Sequence, residues 1–212
     1  MPTKEGSQWP VLTFPMEEAN LLRARYEKAR VILEYGSGGS TVMAAQQPGK
    51  LIFSVESDLA WSQALQHKID VADLPSSVIL YHVNIGETAR WGRPVDDSGW
   101  RFFYRYPVAI WNETFFRQPD LVLIDGRFRA ACFITTCLFT KQPVTIIFDD
   151  YVERPSYHVV EELAKPVEIT GRMARFEIEP KVWPSDIYTL LLRSCTQGTY
   201  SYQSLAAYSS AE

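Results

Sequence analysis

Val31-Ile-Leu-Glu-Tyr-Gly-Ser-Gly-Gly-Ser-Thr41 is the stretch that decides how the chain is read. Val31 to Leu33 make a buried strand. Glu34 places a carboxylate at its end, Gly36 to Ser40 form a turn of small residues, and a helix starts after it. Glycine permits the tight turn and lets a ligand approach the main chain. Free N–H groups at the start of the helix would face that ligand. A second strand, 51–55, ends at Glu56, 18 residues beyond Gly38. A carboxylate at the tip of the second strand at about this spacing meets a ribose. The stretch therefore predicts a nucleotide-type ligand.

Outward from it, the pattern repeats. Upstream, Thr13 and Pro15 open a helix with Glu17 and Glu18 in its first turn, and Leu21, Leu22, Arg25, Tyr26 and Ala29 recur at helical spacing. Residues 1–12 read as a loose arm. Downstream, a short helix runs to Gln47 and stops at Pro48-Gly49, and Asp58 caps a helix from Leu59 to Ile69. Strands follow at 78–83, 121–124 and 144–148, with helices expected at 128–139 and 157–164. Near-continuous apolar strands alternating with helices indicate a parallel sheet covered on both faces. The segments 167–169, 174–178 and 187–192 are strand-like with no helix between them, which predicts an antiparallel edge. The fold class is α/β: a Rossmann-like, doubly wound, mostly parallel seven-stranded sheet with an antiparallel C-terminal edge. The expected division is an arm and helix over 1–30, one domain over 31–195, and a tail over 196–212 that docks weakly or is disordered.

Composition narrows the function. The chain has 212 residues, 46% hydrophobic and 22% charged, with a net charge of −4. One domain with a full core is expected. No basic run stands out, so the electrostatic footprint of a nucleic-acid binder is missing. No apolar run is long enough to span a membrane, and residues 1–6 carry no apolar signal region. Cys132, Cys137 and Cys195 fit neither a disulfide framework nor a zinc site, which points to a reducing cytoplasm.

In open parallel sheets the ligand lies beyond the carboxyl ends of the strands. Glu34, Glu56, Asn84, Asp125 and Asp149 with Asp150 stand there, although Asp and Asn also cap helices and start turns. One segment breaks the alternation. Residues 87–116 hold Trp91, Trp100, Phe102, Phe103, Tyr104, Tyr106 and Trp111 with Arg90, Arg93, Arg101 and Arg105. A connection this long is usually functional. It reads as a lid over an acceptor, with a satellite core as the plainer alternative. Aromatic and arginine residues also suit a contact between copies of the chain, hence a homo-oligomer.

Glu34-Tyr-Gly36-Ser-Gly38-Gly39 resembles motif I of the class I S-adenosylmethionine-dependent methyltransferases, with Ser40 where the last glycine stands, and Val55-Glu56-Ser-Asp58 resembles the next motif. The resemblance covers residues 31–193. It implies that Glu34, Gly36, Ser37, Gly38, Gly39, Ser40, Glu56 and Asp125 hold S-adenosylmethionine, and that Asn84 meets the adenine. It implies methyl transfer to oxygen or nitrogen of a small-molecule or sugar-like acceptor. Ile124-Asp125-Gly and Asp149-Asp150-Tyr also resemble the metal-dependent O-methyltransferase branch, in which Asp125, Asp149 and Asp150 would hold magnesium or another divalent cation. That branch has a lysine shortly after the strand-four Asp, where this chain has Arg127. Arginine cannot act as a base, but it can orient an anionic acceptor. The implied catalytic set is Asp125, Asp149 and Arg127. Two other functions stay open: a non-catalytic binding protein on the same fold, and a nicotinamide-dependent oxidoreductase. For the latter, the sixth position of the fingerprint counted from Gly36 is Thr41 rather than glycine.

Overall fold

In a computed structural model of the protein, residues 9–198 are described. The first 8 residues and those beyond Gly198, which include most of the expected tail, lie outside them. The chain alternates helix and strand as far as β7: α1 (Met16–Lys28), β1 (Val31–Tyr35), α2 (Gly39–Ala45), β2 (Leu51–Glu56), α3 (Leu59–Val71) and β3 (Ser77–His82) lead into a long crossover. The crossover holds the hairpin β4 (Thr88–Ala89) and β5 (Arg93–Pro94), then α4 (Trp100–Phe103) and α5 (Arg105–Val108). It returns to β6 (Leu121–Ile124), α6 (Arg129–Phe139) and β7 (Val144–Phe148). The described residues end on β8 (Glu168–Thr170), β9 (Met173–Ile178) and α7 (Asp186–Cys195).

The main sheet has seven strands in the order β3-β2-β1-β6-β7-β9-β8. The first five pair in parallel, and β9 runs antiparallel to both β7 and β8. The order reverses between β1 and β6, and sheets of this kind bind ligands beyond the carboxyl ends of the strands at such a point. Successive residues of a strand face opposite sides, so each central strand feeds two cores. Ile32, Ile52, Leu121, Leu123 and Ile147 pack with Leu22 and Tyr26 of α1 and Met43 of α2. Leu33, Tyr35, Phe53, Val55, Val122, Ile124 and Phe148 pack with Phe133 of α6 and with Phe103, Tyr106 and Ile110 of the crossover.

Two expectations are corrected. The run 187–192 is not a strand but the middle of α7. Its inward positions Ile187, Leu191, Ser194 and Cys195 recur at helical spacing, and Asp186 sits in the first turn where the helix dipole favours an acid. The helix expected over 157–164 is a 3₁₀ helix, Pro155–Glu162.

Beneath the glycine turn lies Glu34, fully buried. Tyr26 of α1 donates to one of its oxygens. Thr41 of α2 donates to the other at 2.5 Å, and Ser54 of β2 reaches the same oxygen at 3.3 Å. Burial pushes the Glu34 carboxyl above its ordinary range, and these donors oppose the rise. Removing one donor from a buried acceptor costs about 1–3 kcal/mol. Tyr26→Phe should therefore lower the unfolding free energy by about that amount in chemical denaturation; an unchanged midpoint would show that the contact contributes nothing.

Candidate active site

At the switch point two backbones are in direct contact. Gly36 follows β1 with φ +98°, a conformation that side chains resist, and a Cβ there would lie 2.9 Å from Cα of Gly126, which follows β6. Next to it, Ser37 N–H donates to Oε2 of Glu56 at 3.2 Å, and Trp61 of α3 donates its indole N–H to the Ser37 carbonyl at 2.9 Å. Above Gly38 the space is open: a Cβ there would meet nothing within 4 Å. Gly38 N–H donates to Thr41 Oγ1 at 3.0 Å, so the turn is tied through Thr41 to the buried Glu34. Gly39 faces elsewhere. A Cβ there would lie 2.6 Å from the Leu12 backbone N, so the N-terminal arm crosses this glycine. Ser40 is buried beside Glu34.

Glu56 is 7% exposed at the tip of β2. Its Oε1 accepts from Ser57 N–H at 2.7 Å and Asp58 N–H at 3.0 Å, while Oε2 accepts only the long bond from Ser37. Burial raises its pKa, and the three backbone donors oppose that. Asn84 stands exposed beyond β3, with Oδ1 taken by Gly86 N–H at 2.9 Å.

On the other side of the switch point, Asp125, Asp149 and Asp150 come together, but around arginines. Arg129, 6% exposed, donates to the Gly126 carbonyl at 3.1 Å, the Asp149 carbonyl at 2.6 Å and Asp125 Oδ1 at 3.0 Å, and pairs with Asp150 at 3.1 Å. Arg172 grips both oxygens of Asp149, at 2.8 and 3.1 Å, and Arg154 meets Asp150 at 2.9 Å. Arg172 is itself held by Glu18 of α1, which accepts its backbone N–H at 3.0 Å. The three carboxylates of the metal set implied by the resemblance, Asp125, Asp149 and Asp150, thus each meet a guanidinium. Among the described residues no group of three His, Cys, Asp or Glu side chains is arranged to hold a metal ion. Arg129 meets Asp125 through Oδ1, while Asp149 and Asp150 each meet two or more guanidiniums.

Of the predicted residues, Glu56, Gly36, Ser37 and Gly38 stand together on the β1–β2 side of the switch point, and Asp125 with Arg127 on the β6 side. Glu34 lies beneath, and Asn84 stands at the β3 end. Sequence reasoning missed Trp61, Arg129, Arg172 and the place of Tyr106. The Tyr106 hydroxyl donates to the Val55 carbonyl at 3.3 Å and fills the space that a Cβ on Gly126 would need. The aromatic crossover is accordingly divided. Phe103, Tyr106, Ile110 and Phe116 are core, whereas Trp91, Trp100, Phe102 and Tyr104 are exposed. Arg90, Arg101 and Arg105 lie over the rings of Trp91, Trp100 and Phe102.

Like Glu34 and Glu56, Asp125 is displaced toward neutrality. Burial pushes it up to about 7, Arg129 holds it down, and Asp149 and Asp150 add to the rise. The unfolded chain releases that proton near pH ~4. The stability contributed by Asp125 is therefore fully present below that pH and is lost as pH rises through the folded value. Asp125→Asn cannot ionise, so its melting temperature relative to the parent should climb between pH ~4 and ~7 and level off above that. A gap constant with pH would contradict the raised pKa.

Comparison with known proteins places this edge in context. No family model and no curated protein matches the chain. A methyltransferase-like protein of Silicibacter pomeroyi DSS-3 is 46% identical, with 89% of this chain and 98% of that one covered and a TM-score of 0.84. The O-methyltransferase TomG of Streptomyces achromogenes, solved with S-adenosylmethionine, is 16% identical, covers 77% of this chain and 80% of its own, and has a TM-score of 0.50, a likeness of fold. With the glycine turn and Glu56 in place at the switch point, and 46% identity over nearly the whole of that first structure, the chain belongs to the family of that methyltransferase-like protein, on the class I S-adenosylmethionine-dependent methyltransferase fold.

Proposed function

We propose that the switch-point edge binds S-adenosylmethionine and that its methyl group passes to an oxygen or nitrogen of a small, sugar-like acceptor. The observation that carries the reading is the state of Glu56: Oε1 is pinned by two backbone amides, Oε2 keeps accepting capacity, and the turn beside it is open above Gly38. That is what a ribose hydroxyl pair requires, with the Ser37–Gly38 turn beneath the donor's amino-acid end and the Trp61 indole as a flat wall. Asn84 stands at the β3 side, where the adenine would extend.

The donor supplies an electrophilic methyl on sulfur. Transfer is then mainly positioning, since a fixed near-attack geometry replaces a bimolecular encounter. This chain's residues hold the two partners, keep water out and receive the acceptor's proton. Asp125 suits that last role. Its side chain is 29% exposed, and its pKa of about 7 lies where a general base works best. Asp149, 1% exposed and gripped by Arg172, holds Arg129 and the β7 end in place and is a positioning residue. Within the crossover the exposed Trp91, Trp100 and Phe102 are the side chains placed to cover the acceptor, while Gly92, bonded to Ser57, and the buried Phe103 and Tyr106 anchor its backbone.

Glu56→Gln removes the charge from a hydrogen bond to ribose, worth about 1.5–3 kcal/mol. Calorimetry with S-adenosylhomocysteine should show the variant binding weaker by that amount with its far-ultraviolet dichroism intact. Equal affinity in variant and parent would remove Glu56 from the donor site.

A further inference from the structure

Five arginines with restricted exposure gather at this edge, and they divide into two kinds. Arg129, Arg154 and Arg172 each meet at least one carboxylate. Arg93 and Arg127 meet none among the described residues, and the Nε of each is shut off from solvent without a hydrogen-bond acceptor. Their backbones bring them to the same place. Arg93 follows Gly92, whose carbonyl accepts from Ser57 Oγ at 2.8 Å and where a Cβ would lie 2.8 Å from Glu56 Oε1. Arg127 follows Gly126, where a Cβ would lie 2.8 Å from Gly36 N. One therefore stands by the tip of β2 and the other by the tips of β1 and β6. Burial, then Arg129 and Arg93, lower the pKa of Arg127, as expected of a desolvated cation beside like charges. Withdrawing a charge from water without a counter-ion is costly, and a buried donor without a partner is a rare feature that calls for a reason. A bound anion supplies both the missing charge and the missing acceptors.

We propose that Arg93 and Arg127 together bind an oxyanion, carboxylate or phosphate, carried by the methyl acceptor. The proposal rests on the reading of this edge as the methyl-transfer site. Planar guanidinium forks match such groups with paired, charge-assisted hydrogen bonds. Two of them beside Asp125 would hold the acceptor at the base that takes its proton. The amino-acid carboxylate of the donor has the same chemistry and is the competing source.

The test needs no turnover. Inorganic phosphate, compared with chloride at matched ionic strength, should raise the melting temperature of the parent protein. Arg93→Met and Arg127→Met should each abolish the shift, and Arg127→Lys should keep part of it. In chloride alone, Arg127→Met should melt at or above the parent, because it removes an unpaired charge. The proposal is overturned by a parent with no phosphate-specific shift, by Met variants that keep the shift, or by an Arg127→Met variant that melts lower. Calorimetry with S-adenosylhomocysteine and with 5′-methylthioadenosine, which lacks the carboxylate, separates the sources. Both Met variants should bind both nucleosides as the parent does. A loss of tenfold or more for S-adenosylhomocysteine alone would assign the arginines to the donor and overturn the acceptor assignment. A phosphate shift in a parent that binds neither nucleoside would overturn the methyl-transfer reading itself and leave an anion site.

Discussion

The carboxyl edge depends on one buried guanidinium. Arg129 reaches the ends of β6 and β7 at once, through the carbonyls of Gly126 and Asp149 and the carboxylates of Asp125 and Asp150. Two residues beside it adopt left-handed backbone conformations, Phe128 at φ 49° and Asp150 at φ 56°. Such conformations persist only where the surroundings over-determine them, and the Arg129 network does that. Breaking a buried pair from one side leaves an uncompensated charge. The network therefore fixes Asp125 and Asp149 more firmly than their loops would alone. The same interaction changes the chemistry. In the metal-dependent branch that the sequence resembles, a cation gathers the carboxylates; here three guanidiniums gather them.

The donor side rests on a second constraint, at the start of the sheet. Glu34 spends its lone pairs on Tyr26, Thr41 and Ser54, and so ties α1, α2 and β2 together beneath the glycine turn. Thr41 passes this support to Gly38 N–H. Glu56 does the same from the side, by accepting the Ser37 N–H. The turn is thus held by two carboxylates from below and beside, and its upper surface is left clear. An acidic residue of a binding motif can serve a ligand without facing it.

The fold is legible where the signal is local. Apolar runs such as Leu121–Ile124 and Val144–Phe148 define buried strands whatever surrounds them, and glycine at position 36 is required by a backbone conformation. The run 187–192 misleads because six apolar-rich residues satisfy both periods; only the burial of Ile187 together with Cys195 resolves it as a helix. The crossover is only partly legible, since nothing local separates Tyr106, locked against Gly126, from Tyr104, which faces solvent. At the site, the carboxylates can be found by their place at strand tips, but their partners cannot. Arg172 lies 23 residues from Asp149, and its pairing exists only because β9 turns back beside β7. Arg129 lies one helical turn from Asp125, a spacing that favours ion pairs on any helix, so that signal is present in the sequence and is not specific enough to displace the metal reading.

The central claim is that the space above Gly38, bounded by Glu56, is where the methyl donor sits. A crystal structure with S-adenosylhomocysteine tests it most directly. The account predicts the ribose hydroxyls within hydrogen-bonding distance of Glu56 Oε2, with the amino-acid end over the Ser37–Gly38 turn. A nucleoside bound elsewhere on the molecule, or bound here with Glu56 still engaged only by Ser37, Ser57 and Asp58, would contradict it.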